Sequence, residues 1–150
     1  MKLTRASSYA LHAIAYMAQQ KVQNAPVASH HIAAERGIPE RFLLKVLKPL
    51  VSRRILLSVK GPNGGYRLAR AASDITMLEI VEAVDGELRG YAPERPTDKD
   101  EEHTPSEIKK YKQVWNTLHP KLERVCGQTA EQIRKSLERV KVSDLLNHSK

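Results

Sequence analysis

The sequence predicts a mainly helical chain carrying one small β-hairpin and ending in a long helix, and three observations predict it. Apolar residues recur at threes and fours through most of the chain before Gly86. Two short strand-forming runs, I-L-L-S-V-K and G-Y-R-L-A, interrupt that period around a G-P-N-G-G turn. From Ile108 onward the helical period resumes for longer than a small core can use. A length of 150 residues suits one domain with an appendage and excludes a large multi-domain enzyme.

Thr4 is a good N-cap, and the first helix is expected from there to Lys21, with Leu3, Ala6, Ala10, Ile14 and Met17 on its apolar face. Asn24 to Ala28, with Pro26, breaks it. Ser29 is the expected cap of a short second helix over residues 30–36, ended by Gly37. Pro39 opens a third helix whose apolar stripe is Phe42, Leu43, Val46, Leu47 and Leu50, and whose other face carries Arg41, Lys45 and Lys48. Pro49 removes a backbone donor and predicts a bend or early stop. In the hairpin, Asn63 and Gly64 are expected to supply positive φ values, with Lys60 and Arg67 flanking the tip. A helix from Thr76 to Val84 stops at Gly86. Residues 87–105, with three prolines and an acidic run, read as an exposed mobile loop.

The last third forms a seam of Ile108, Tyr111, Trp115, Leu118, Leu122, Val125, Thr129, Ile133, Leu137 and Val140. A second subunit is the obvious cover for it, so Ile108 to Val125 are the expected dimerisation residues. Pro120 and Gly127 lie off the seam and leave open whether the helix is continuous. Residues 143–150 read as a frayed end. The domain plan is therefore 1–72, a connecting helix 73–86, a loop 87–105, and 106–150 for dimerisation helix and tail.

The net charge of +8 is unevenly placed. Residues 1–72 hold 12 Lys and Arg against 2 acids, and residues 73–150 hold 13 against 15. Such a basic block suits a polyanion, either nucleic acid or an acidic membrane surface. No run approaches the roughly 20 apolar residues of a membrane span, and one cysteine, Cys126, gives no disulfide framework, so a cytoplasmic location is expected.

Ile32, Ala33, Gly37, Ile38, Leu43 and Val46 fit a helix-turn-helix: the alanine is small where the helices touch, the glycine turns left-handed, and the aliphatics lock one helix across the other. With the hairpin following, the unit is a winged helix-turn-helix. A cationic helix followed by a basic wing has the form to enter a major groove of double-stranded DNA and touch the flanking backbone.

The chain resembles the Rrf-type bacterial transcriptional regulators, the IscR-, NsrR- and CymR-like family. The resemblance runs through M-K-L-T-R-A-S-S-Y-A-L-H, V-K-G-P-N-G-G-Y-R-L-A-R, D-I-T-M-L-E-I-V-E-A-V-D-G and L-E-R-V-K-V-S-D-L. It implies a homodimeric regulator, usually a repressor, on a pseudo-palindromic promoter site. Carried over by position, DNA contacts would come from Pro39, Arg41, Leu44 and Lys45 and, in the wing, from Lys60, Asn63 and Gly64. Cluster-binding members place three cysteines in the loop after the D-G segment, where this chain has only His103, so no iron–sulfur cluster is expected and no metal site. Arg54 stands where relatives usually have a glycine.

Sensing, on this reading, falls to a small ligand near Arg5, Ser8 and His12, to a partner protein, or to oxidation of Cys126, with a ligand or partner favoured. His12 also reads as an ordinary interfacial histidine, His30 and His31 as surface or phosphate neighbours, and Cys126 as buried packing. An enzyme is disfavoured, since no nucleophile–base pair, phosphate loop or paired carboxylates are present. A winged-helix adaptor or RNA-binding protein remains the alternative.

Overall fold

The computed structural model of the chain describes residues 1–22, 24–92 and 104–146. They form α1 (Arg5–Ala18), α2 (Ser29–Arg36), α3 (Glu40–Ser52), strands β1 (Leu56–Val59) and β2 (Gly65–Leu68), a 3-10 turn (Ala72–Asp74), α4 (Met77–Asp85), α5 (Pro105–Arg139) and α6 (Val142–Leu146). Two compact units divide them: Met1–Glu87 with Lys135–Lys150, and Leu88–Arg134.

In the first unit the core is built where the helical period places it. Ala10, Ala13, Ile14 and Met17 of α1 pack with Ile32 and Ala33 of α2, Leu43, Leu47 and Leu50 of α3, and Ile75 and Ile80 around α4. Each fully buried aliphatic side chain contributes about 1.5–3 kcal/mol relative to exposure. Thr4 caps α1 by accepting from the Ser7 amide at 3.0 Å. Its own hydroxyl donates to Asp85 at 2.8 Å, and the fully buried Ser7 hydroxyl donates to the same carboxylate at 2.6 Å, so the start of α1 is tied to the end of α4.

Gly37 closes α2 at φ 61°, ψ 32°, in the left-handed region that a glycine occupies without a Cβ penalty. Ser29 does not cap α2: the N-cap is Ala28, which gives no side-chain bond, and the Ser29 hydroxyl instead donates to Glu40 at 2.9 Å. Helix α3 runs through Pro49 to Ser52 without the early stop expected there. Pro49 lies in the last turn, which the Arg53 amide closes by donating to the Pro49 carbonyl at 3.0 Å. Arg54, where a glycine was the family expectation, adopts φ 55° and turns the chain into the hairpin as a strained non-glycine residue.

The hairpin pairs antiparallel in the register Leu56↔Leu68 to Val59↔Gly65. Its positive φ angles fall on Gly61 (108°) and Gly65 (149°), not on Asn63 and Gly64, because the turn spans five residues rather than two and closes through the Gly64 amide on the Gly61 carbonyl. Gly64 is required for space: a Cβ there would lie 2.1 Å from the Val59 carbonyl oxygen. Val27 adds a third edge to the wing, exchanging two 2.8 Å backbone bonds with Tyr66. A Cβ on Gly65 would lie 2.3 Å from the Val27 oxygen, so only glycine lets this edge close.

The C-terminal segment is not frayed through residue 146. The Met77 amide donates to Val140 at 2.8 Å, the Val142 amide to Ile75 at 2.9 Å, and Val142 is buried at the start of α6.

In the second unit α5 continues through both Pro120 and Gly127. Ala92 is buried and its amide donates to Glu123 at 2.7 Å, while Gly90 approaches the Cys126 carbonyl so closely that a Cβ would lie 1.9 Å from it. The expected loop thus has an anchored beginning at residues 90–92; most of the rest of it, with His103, lies outside the described residues.

Candidate nucleic-acid interface

Helix α3 is amphipathic, and the core takes one side of it completely: Leu43, Val46, Leu47 and Leu50 are buried. Arg41, Leu44, Lys45 and Lys48 are exposed and spaced so that all four share one face. Pro39, exposed, is the N-cap and starts the helix at φ −60°. Phe42, assigned to the apolar stripe by its spacing, is instead 44% exposed. The four buried aliphatics take the core side of α3 and the ring is left outside, where Arg41 and Lys45 lie over it at 5.3 and 5.8 Å from its centroid. Such contacts favour an ordered placement of both cations. The signal for this role was in the sequence: cations stand one residue before and three after Phe42.

On the wing, Lys60 and Asn63 are exposed, and Gly64 and Arg67 are half-buried. Arg53 and Arg54 add exposed cations between helix and hairpin that sequence reasoning did not assign a role. Within the basic block the cations divide by use. Arg36 lies 5.1 Å over the Tyr16 ring and donates to Gln19, and Arg70 pairs with Glu79 at 2.8 Å. Arg41, Lys45, Lys48, Arg53, Arg54, Lys60 and Arg67 have no carboxylate partner among the described residues. Glu40, the one acid on α3, accepts from Ser29 and forms no ion pair with these cations. An unneutralised positive surface of this kind attracts a polyanion and releases its counterions on binding.

The Arg70–Glu79 pair also fixes the wing's exit. Arg70 donates to the Asp74 carbonyl at 3.0 Å, and Glu79 accepts the Thr76 amide at 2.9 Å in a capping box at the start of α4. Partial burial raises the Glu79 carboxyl's pKa, but the Thr76 hydrogen bonds and the Arg70 guanidinium outweigh it and hold the group below its ordinary value.

The remaining predicted residues are dispersed. On α1, Arg5 and His12 are exposed and Ser8 is half-buried. Cys126 is a half-buried free thiol. On α5, Ile108 is half-buried, whereas Tyr111, Trp115, Leu118, Leu122 and Val125 are exposed in the single chain, as is Val114 at 60%. Among the described residues no group of three His, Cys, Asp or Glu is placed to hold a metal ion, and no helix is long and apolar enough to cross a membrane.

The family model of Rrf2, described as iron-dependent transcriptional regulators, matches residues 3–148. The chain belongs to the Rrf2 family. Protein aau3 of Rhizobium meliloti is 37% identical over 87 residues, covering 57% of this chain and 54% of that protein. The HTH-type transcriptional regulator IscR of Vibrio atlanticus is 38% identical over 85 residues, covering 57% and 49%. This Rrf2 chain therefore spans about half the length of the curated relatives it matches. Among solved structures, CymR, the global cysteine regulator of B. subtilis, superposes with a TM-score of 0.67 at 19% identity over 100% of this chain and 99% of that one. T. potens IscR gives 0.64 at 23%, over 100% and 89%. The winged-helix architecture with a long C-terminal helix is thus shared across this Rrf2 fold.

Proposed function

We propose that the chain is a DNA-binding transcriptional regulator that acts as a homodimeric repressor at a pseudo-palindromic promoter site, in the cytoplasm and without a catalytic step. The observation that carries this reading is the outward face of α3: Arg41, Lys45 and Lys48 stand unpaired on a helix whose opposite face is locked into the core, and a basic wing follows. A helix so presented can enter the major groove while the wing meets the phosphate backbone. The exposed apolar side chains Val114, Leu118, Leu122 and Val125 on α5 support pairing with a second copy, since a row of that kind on a small chain otherwise stays in water.

The family description names iron, but the donor set does not fit a cluster. A cluster takes about four ligands, mostly thiolates, and each chain supplies one cysteine, Cys126. We propose that regulation reaches the DNA-binding unit instead through a small ligand or partner protein, with Arg5, Ser8 and His12 on α1 as the candidate contacts.

The test separates base reading from phosphate binding. Arg41→Ala is expected to weaken operator binding by about 1–3 kcal/mol more than random DNA. Lys60→Ala is expected to weaken both and to lower the salt slope by roughly one per subunit. Identical behaviour of the two variants, or equal loss on tRNA competitor, would favour the adaptor or RNA-binding alternative.

A further inference from the structure

We infer that the outer stripe of α3 reads keto bases: Arg41 and Lys45 take the acceptors of guanine, and Leu44 between them takes the C5-methyl of thymine. The inference rests on the operator-binding reading above. Three observations carry it.

The first is what the stripe can donate. Arg41 and Lys45 have no carboxylate partner among the described residues, and the Phe42 ring beneath both holds them on one side of the helix. Guanine presents two acceptors to the major groove, N7 and O6, which suit such donors. The second is what the stripe cannot accept. Arg41, Leu44, Lys45 and Lys48 carry no acceptor, and helix α3 contains no Asn or Gln; Glu40, its one carboxylate, lies in the first turn before the stripe, and its one hydroxyl, Ser52, lies beyond it in the last turn. The exocyclic amino groups of cytosine and adenine are donors and would meet no acceptor on these four side chains, a mismatch that costs as much as a good contact gains. The third is Leu44 itself, 42% exposed, three residues after Arg41 and next to Lys45. An aliphatic group set among cations on a groove-facing stripe has one complementary feature on the base-pair edges, and that is the thymine methyl.

The experiment enriches an operator from random duplexes with the full-length protein, then replaces single thymines by deoxyuracil, which removes only the methyl. Each selected half-site is expected to contain adjacent G and T, with one thymine whose replacement weakens binding about fourfold, the worth of one buried methyl group. Leu44→Ala, truncated at an exposed position that leaves the core untouched, is expected to bind the thymine and deoxyuracil operators equally. An enriched operator with no deoxyuracil effect at any position, or Leu44→Ala retaining the discrimination, overturns the inference while leaving operator binding intact. Failure to enrich any sequence overturns the operator-binding reading itself, and this inference with it.

Discussion

Arg54 shows what one residue can conceal. Its φ of 55° places a long side chain in backbone space that glycine occupies freely and other residues enter at a cost of about 1–2 kcal/mol. Part of that is offset in a glycine variant by the greater freedom of its unfolded chain. Arg54→Gly is therefore expected to stabilise the protein by about 0.5–1 kcal/mol, measured by urea unfolding; a loss of stability would show that the arginine side chain, not its backbone, sets the connection to the wing. At this scale the sequence was partly legible. The turn at Gly37 and the cap at Thr4 followed from local chemistry, because each depends on one side chain and its own backbone. Phe42 did not, since whether an aromatic residue at the edge of an apolar stripe faces in or out depends on how much space Leu43, Val46, Leu47 and Leu50 already fill. Ser29 was likewise drawn away from its cap by Glu40, eleven residues on.

Among the elements, the wing and α4 are coupled through a network the sequence announced only as T-x-x-E. Glu79 accepts from Thr76 and from Arg70, which itself comes from the end of the hairpin. A carboxyl whose folded pKa is depressed adds stability that is present above its unfolded value and disappears as the pH falls through the folded one. The contribution of Glu79 should thus be intact above 4.5 and lost at pH values below it. The Glu79 side chain is 39% exposed, so solvent screens the pair and the effect is modest. In urea unfolding across acid pH, Glu79→Gln is expected to lose less stability on acidification than the parent; equal losses would remove this pair from the acid response. The hairpin was visible from strand-forming runs around glycines, but its turn was not. A five-residue connection and a third edge at Val27 move the positive φ angles to Gly61 and Gly65, and that edge is contributed from a segment far away in sequence.

For the molecule as a whole, charge and period were the legible signals. The excess of cations before residue 72 foretold an unpaired basic surface, and the long seam foretold a helix whose apolar side chains stay exposed in one chain. The continuity of α5 through Pro120 was beyond sequence reasoning, because a proline costs a helix a fixed amount that the rest of a long helix can absorb. So was the return of Lys141 and Val142 to the strand-like edge at Thr76, a pairing across more than sixty positions of chain.

Whether two copies of this chain read one DNA site is decided by titrating a labelled, enriched operator with the full-length protein and measuring the mass of the complex by sedimentation. Two chains per duplex are expected, with affinity at least about a thousandfold above that for random DNA at the same salt and a steep fall with added salt. One chain per duplex, or equal affinity for operator and random DNA, would contradict this reading.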